Sequence, residues 1–286
     1  MSRSRNRRIS NSVFVGACWI ATIIALGALC LIFYSLFVHG FGGLNLKIFT
    51  MDQPAAGSEG GLLDGILGTL IMCGMGMLVA LIIGILAGTW LAEYAGGSHY
   101  ASAVRFLNDV LLSAPSILIG LTVYYLLVAN PYFHSIHGFS GIAGGVALAI
   151  LATPIVVRTT EDMINLQPGA LREAGMALGA SRGFVIRTII WRASKTGLLT
   201  GGLLGFARIS GETAPLIFTA FGNNTHINSL GDLTRPMSAL PLIINQFANT
   251  AADDLRSLAW VGALLISLAV LSVNILGRYL ARGARP

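Results

Sequence analysis

Apolar residues run along this chain in long blocks, about 13–38, 64–92, 104–129, 140–157, 197–220 and 257–280. A helix needs about 20 predominantly apolar residues to cross the hydrocarbon of a bilayer, so each block predicts one membrane-spanning helix, the fourth at the lower limit of length. Three connections are too long for tight turns: 39–63, 158–196 and 221–256. The middle one has helical order of its own. Leu171, Ala174, Gly175 and Leu178 recur at i, i+3, i+4 and i+7, which makes one apolar face. Pro168 suits the first turn of that helix, and Gly179 the left-handed position that ends it. Ser181 predicts the N-cap of a second helix with Phe184, Val185, Thr188 and Ile189 on one side. The pattern is a helix–turn–helix at the membrane surface. A face of small residues suits contact with another protein, while an amphipathic helix resting on lipid is the alternative.

Composition agrees. Hydrophobic residues make up 55% of the chain and charged ones 10%, where a soluble domain carries about 25% charged residues. Mean hydropathy is +0.75. The class is an all-α membrane protein of six transmembrane helices. Cys18, Cys30 and Cys73 all fall inside apolar blocks without metal-ligand spacing and read as small packing residues. His134 and His137 lie three apart in a connection with no cysteine or carboxylate beside them, so no metal site is expected.

The net charge of +6 is distributed as a topology signal, not as a nucleic-acid surface. Arg3, Arg5, Arg7, Arg8, Arg105, Arg158, Arg172, Arg182, Arg187, Arg192, Lys195, Arg278, Arg282 and Arg285 fall on one side of the predicted membrane, and only Lys47, Arg235 and Arg256 on the other. That division puts both termini in the cytoplasm. Residues 1–12 read as a basic cytoplasmic tail. The block at 13–38 is too long for a signal-peptide core and is expected to remain as the first transmembrane helix. Residues 39–63 form an extracytoplasmic loop, and 158–196 the cytoplasmic connection.

One basic residue belongs to neither side. Arg208 lies within the fifth block, in Ala207-Arg208-Ile209-Ser210-Gly211-Glu212-Thr213-Ala214-Pro215. An ionisable side chain at the bilayer centre costs about 2.5–3.5 kcal/mol on the lenient scale, so it marks function by default. Glu212, four residues on, shares its helical face. A guanidinium is a planar fork of donors that stays charged when desolvated, which fits an oxyanion. Ser210 and Thr213 add hydroxyls, Gly211 allows close backbone approach, and Pro215 frees a carbonyl one turn back. The other reading is a static ion pair that fixes the fifth helix to a neighbour. Pro115 and Pro154 read as kinks, and Asp64 and Asp109 as interfacial.

Glu173-Ala174-Gly175, followed by Gly179 and then Ile189, resembles the EAA loop of ABC importer permeases, which is Glu-Ala-Ala, three residues, Gly, nine residues, Ile-x-Leu-Pro. Gly175, Trp191 and Arg192 depart from that pattern. Leu91-Ala92-Glu93-Tyr94-Ala95, Ser113 to Leu121 and Ala207 to Phe218 narrow the resemblance to the A-type permease of bacterial phosphate-specific importers, over about 61–278. The resemblance implies a type I ABC importer permease (MetI-like) fold spanning 64–280 in the cell inner membrane. It also implies a coupling helix around Glu173, Ala174, Gly175 and Gly179 seated on a cytoplasmic ATPase dimer. The remaining implied partners are a second, C-type permease and an extracytoplasmic phosphate-binding protein. Arg208, Glu212, Ser210 and Thr213 would line the substrate pathway. The chain has no Gly-x-x-x-x-Gly-Lys-Ser/Thr phosphate cradle. No cofactor is expected on it, and ATP and Mg would be used by the ATPase partner. The same architecture importing phosphonate, sulfate or molybdate, or a passive anion channel, are the competing expectations.

Overall fold

The computed structural model describes residues 2–129, 138–222 and 230–282, and their regular elements are helices. In chain order these are α1 (Ser2–Gly42), α2 (Leu63–Glu93), α3 (His99–Ser113), α4 (Ser116–Val123), α5 (Gly141–Asn165), α6 (Gly169–Ala177), α7 (Arg182–Val185), α8 (Trp191–Ala193), α9 (Lys195–Ser210), α10 (Ala214–Thr219), α11 (Leu240–Ala248) and α12 (Asp253–Arg282). Single π-helical turns follow α4 at Tyr124–Val128 and α7 at Ile186–Ile190. His134, His137 and His226 lie outside the described residues.

Four of the predicted spans are uninterrupted: α1, α2, α5 and α12. Two are not. The block at 104–129 divides into α3 and α4, which are bent by 104° at Ala114–Pro115. Pro115 has no N–H to continue the ladder, and it holds Ala114 in extended backbone at φ −66°, ψ 135°. The block at 197–220 divides into α9 and α10 around Gly211–Thr213. Pro154 behaves differently. It sits within an unbroken α5, and its carbonyl accepts from Asn108 Nδ2 at 3.2 Å.

The centre of the molecule is the pair α2 and α5. Gly76 faces Leu148, Gly84 faces Val156 and Gly88 faces Thr160, a constant offset, so the helices run parallel at close range. Small residues at every turn let two backbones approach where lipid provides no hydrophobic drive. α9 runs antiparallel to α5, with Gly197 on Met163, Gly201 on Thr159 and Gly205 on Val156. α12 lies along α9, and α1 lies outside along α12, with Gly40 and Gly43 against Leu264 and Val261. The cluster of Met72, Cys73, Met77, Leu148, Ile209 and Leu216 joins α2, α5, α9 and α10 at mid-length.

One end of the bundle is rich in arginine. Arg105 Nε meets Glu161 Oε1 at 2.7 Å, and Arg158 lies between Asp109 and Asp162 at 3.7 and 3.3 Å. At the opposite end the loop before α2 is tied down. The Gly57 N–H donates to Asp254 Oδ2 at 2.7 Å, and the Lys47 ammonium on Glu59 holds that carboxyl below the usual carboxylate range.

Candidate functional site

α9 ends where its sequence stops supporting a helix. Gly211 is the C-cap, with φ −104° and ψ 4°, and Glu212 N–H turns back to the Ile209 carbonyl at 3.2 Å. Pro215 falls in the first turn of α10, where a missing N–H has no cost. The Thr213 carbonyl accepts the Leu216 and Ile217 N–H groups, both at 3.1 Å. The fifth span is therefore broken at the motif itself.

Arg208 and Glu212 meet across this break, Nη1 to Oε1 at 2.9 Å. The expected pair forms, but Glu212 lies beyond the helix end, not on a continuous face. The two side chains differ in exposure, 51% for Arg208 and 9% for Glu212. The carboxylate is a buried anchor, and the guanidinium presents its other donors outward. Arg208 also occupies the last turn of α9, where unpaired carbonyls favour a cation.

The other predicted pathway residues separate. Ser210 is buried and its hydroxyl donates to the Phe206 carbonyl at 2.6 Å, so it faces the α2 side near Cys73. Thr213 is half-buried at the N-cap of α10. Gly211 borders open space, with no atom within 4 Å of where a Cβ would lie. That space is part of a groove of about 620 Å³ between α9 and α12, whose polar lining is Ser267, Asn274 and Arg278 and which Phe33 of α1 closes. On the other flank of the break, α4 crosses α10. A Cβ on Gly120 would lie 2.6 Å from the Pro215 Cα.

The surface loop folds as a helical hairpin. α6 begins one residue after Pro168, which is its N-cap. It ends in a Schellman turn: Gly179 N–H donates to Met176 at 2.9 Å, Ala180 N–H to Gly175 at 3.3 Å, and Gly179 has φ +79°. The predicted apolar face is mostly uncovered. Glu173 and Ala174 are exposed and Leu178 is 89% exposed. Gly175 alone in α6 is buried, and an added Cβ would lie 2.8 Å from Val185 Cγ2. The glycine that departs from the Glu-Ala-Ala pattern therefore faces α7, not outward. In the second helix the predicted face holds at Val185, which is buried, and in part at Thr188 and Ile189; it is corrected at Phe184, which is exposed, while Ile186 and Ile190 are also buried. The π turn inserts one residue, which rotates the apolar face away from regular α spacing.

Sequence reasoning missed the tie beneath this hairpin. Glu93 closes α2 with its side chain 3% exposed, and Arg172 of α6 reaches its Oε1 with Nε at 2.8 Å and Nη2 at 2.7 Å. Arg182 donates to the Glu93 carbonyl and lies 4.8 Å over the Tyr94 ring. The one available signal was a carboxylate at the end of an apolar block. Its partner is 79 residues away, beyond any local periodicity.

The family described as binding-protein-dependent transport system inner membrane component matches residues 80–286. The chain is 48% identical over 272 residues to the phosphate transport system permease protein PstA of Haemophilus influenzae, covering 95% of this chain and 94% of the relative. It is 45% identical, at the same coverage, to the protein of that name from Pasteurella multocida. Among solved structures, an inward-facing form of the MetNI methionine ABC transporter superposes with a TM-score of 0.63 at 19% identity, over 79% of this chain and 96% of the other. The broken fifth span, the surface hairpin and these likenesses together place the chain in the family of binding-protein-dependent transport system inner-membrane components.

Proposed function

We propose that this chain is the permease subunit of an ATP-driven phosphate importer and forms half of its route through the inner membrane. One observation carries the reading: a half-exposed Arg208 is anchored by a buried Glu212 where an apolar span is broken. Glu212 is buried and Arg208 is half-exposed, so the guanidinium keeps donors accessible, as required of a cation that exchanges a carboxylate for an incoming oxyanion. Non-helical backbone at this depth is tolerated where it lines a polar cavity. The relatives named as phosphate permeases support phosphate as the anion.

The arginine-rich end faces the cytoplasm, and both termini lie there. Exposed Glu173, Ala174 and Leu178 on α6 seat in an ATPase subunit that uses ATP and Mg, while a second permease and an extracytoplasmic phosphate-binding protein complete the assembly. Gly179 sets the end of the seated helix, and Gly175 its close packing on α7. Thr213 lies on the pathway side of the break, and Ser210, its hydroxyl on the Phe206 carbonyl, lies buried behind it.

The test is phosphate uptake by the full importer in vesicles. Arg208→Ala removes uptake by tenfold or more. Arg208→Lys keeps the charge but loses the fork, and retains a minor fraction. Normal uptake in Arg208→Ala would refute the route, and equal competition by sulfate or molybdate would refute the assignment of phosphate.

A further inference from the structure

α6 is the element that takes the ATPase stroke under the proposed function, yet almost nothing apolar holds it to the rest of the chain. Of its nine residues only Gly175 is buried, and glycine has no side chain to bury. Apart from the close approach of Gly175 to Val185 and Ile189 within the hairpin, polar bonds fix its position. Arg172 Nε and Nη2 grip Glu93 at the end of α2. The same guanidinium donates Nη1 to the Gln167 carbonyl at 2.9 Å and Nη2 to the Ile164 carbonyl at 3.0 Å, at the end of α5. One planar group thus joins α6 to the two helices that form the centre of the bundle. Two further bonds reinforce it: Arg182 on the Glu93 carbonyl, and Trp191 Nε1 on Thr89 Oγ1 at 3.1 Å, one turn up α2.

We propose that Glu93 is a positioning residue for transport, the buried joint through which a displacement of α6 reaches α2 and α5. The proposal rests on the reading of α6 as the ATPase contact. A buried ion pair adds little net stability over apolar residues of similar volume. It differs from them in direction: a carboxylate gripped by two nitrogens of one fork resists sliding that an apolar contact permits. From Glu93 the continuous α2 carries the displacement to Met77, beside Gly205 of α9, and to Cys73, whose Sγ lies 4.0 Å from the Ile209 carbonyl next to the Arg208 break. The α2–α5 contact is close along its length, so the two helices move as one body.

The importer is reconstituted in vesicles with its partner subunits, and phosphate uptake and ATP hydrolysis are measured on the same preparation, normalised to assembled complex. In Glu93→Gln, uptake falls at least tenfold while hydrolysis falls less than twofold, so the ratio of phosphate to ATP collapses. Because Glu93→Gln leaves Arg172 without its anion and assembly can fail, the paired variant Glu93→Leu with Arg172→Met keeps the volume apolar. It assembles normally and still shows the collapsed ratio. A wild-type ratio in the paired variant, or uptake and hydrolysis falling in parallel in Glu93→Gln, overturns the proposal and makes the joint a structural contact only. Arg208 is intact in both variants, so a wrong assignment of the anion route shows in Arg208→Ala and not here.

Discussion

Gly179 occupies the left-handed region at φ +79° with empty space where a Cβ would go, so its requirement is one of backbone and not of room. An L side chain there costs about 1–2 kcal/mol. Gly179→Val should therefore loosen the end of α6 without unfolding the bundle. The expected result is normal amounts of assembled complex with ATP-driven uptake reduced severalfold. Unchanged uptake would show that the Schellman turn has no part in coupling. This residue was legible in the sequence because the signal is local: a periodic face, then glycine, then a capping serine. Glu93 was not. Its meaning depends on Arg172 and Arg182 arriving from a distant segment, and no spacing rule reports which carboxylate a guanidinium will find. Gly175 was half legible. Its smallness was evident, but that it faces Val185 and Ile189 depended on how the second helix of the hairpin folds back on α6.

At the scale of elements, the blocks of apolar residues located α1, α2, α5 and α12 because the contrast between lipid and water is written into composition. The two breaks were only partly visible. Pro115 announced a kink, yet the 104° change of direction also needs Ala114 held extended and Gly120 admitting Pro215. At Gly211–Thr213 the proline sits past the break, so its position suggested a distorted helix and the structure has two. The α2–α5 contact yields a direct test on one helix. A Cβ on Gly84 would lie 2.6 Å from Val156 Cβ, while one on Gly74 meets nothing within 4 Å. Gly84→Ala should destabilise by about 1–3 kcal/mol, the usual cost of overpacking a close contact. Gly74→Ala should be neutral. Thermal stability of the two variants in one detergent decides, and equal stability would show that the helices are not held at this distance.

The whole molecule is polar in its charge layout, with one arginine-rich end tied by ion pairs and an opposite end carrying Lys47, Arg235 and Arg256. This asymmetry predicts sidedness. In a background with Cys18, Cys30 and Cys73 replaced, a cysteine at exposed Ser58 should react with a membrane-impermeant thiol reagent in intact cells. A cysteine at exposed Leu178 should react only after the membrane is opened. The reverse pattern would invert the topology and with it the direction of transport. The first helix adds a consequence of its length. The apolar stretch from Val13 accounts for the crossing, and α1 starts at Ser2. At 1.5 Å per residue the turns before Val13 reach about 16 Å beyond the hydrocarbon edge, more than the depth of a headgroup layer. The peripheral rod thus runs on past the hydrocarbon like a mast, and carries Arg8 and Arg7 about 7–9 Å beyond its edge, at the outer margin of the headgroups.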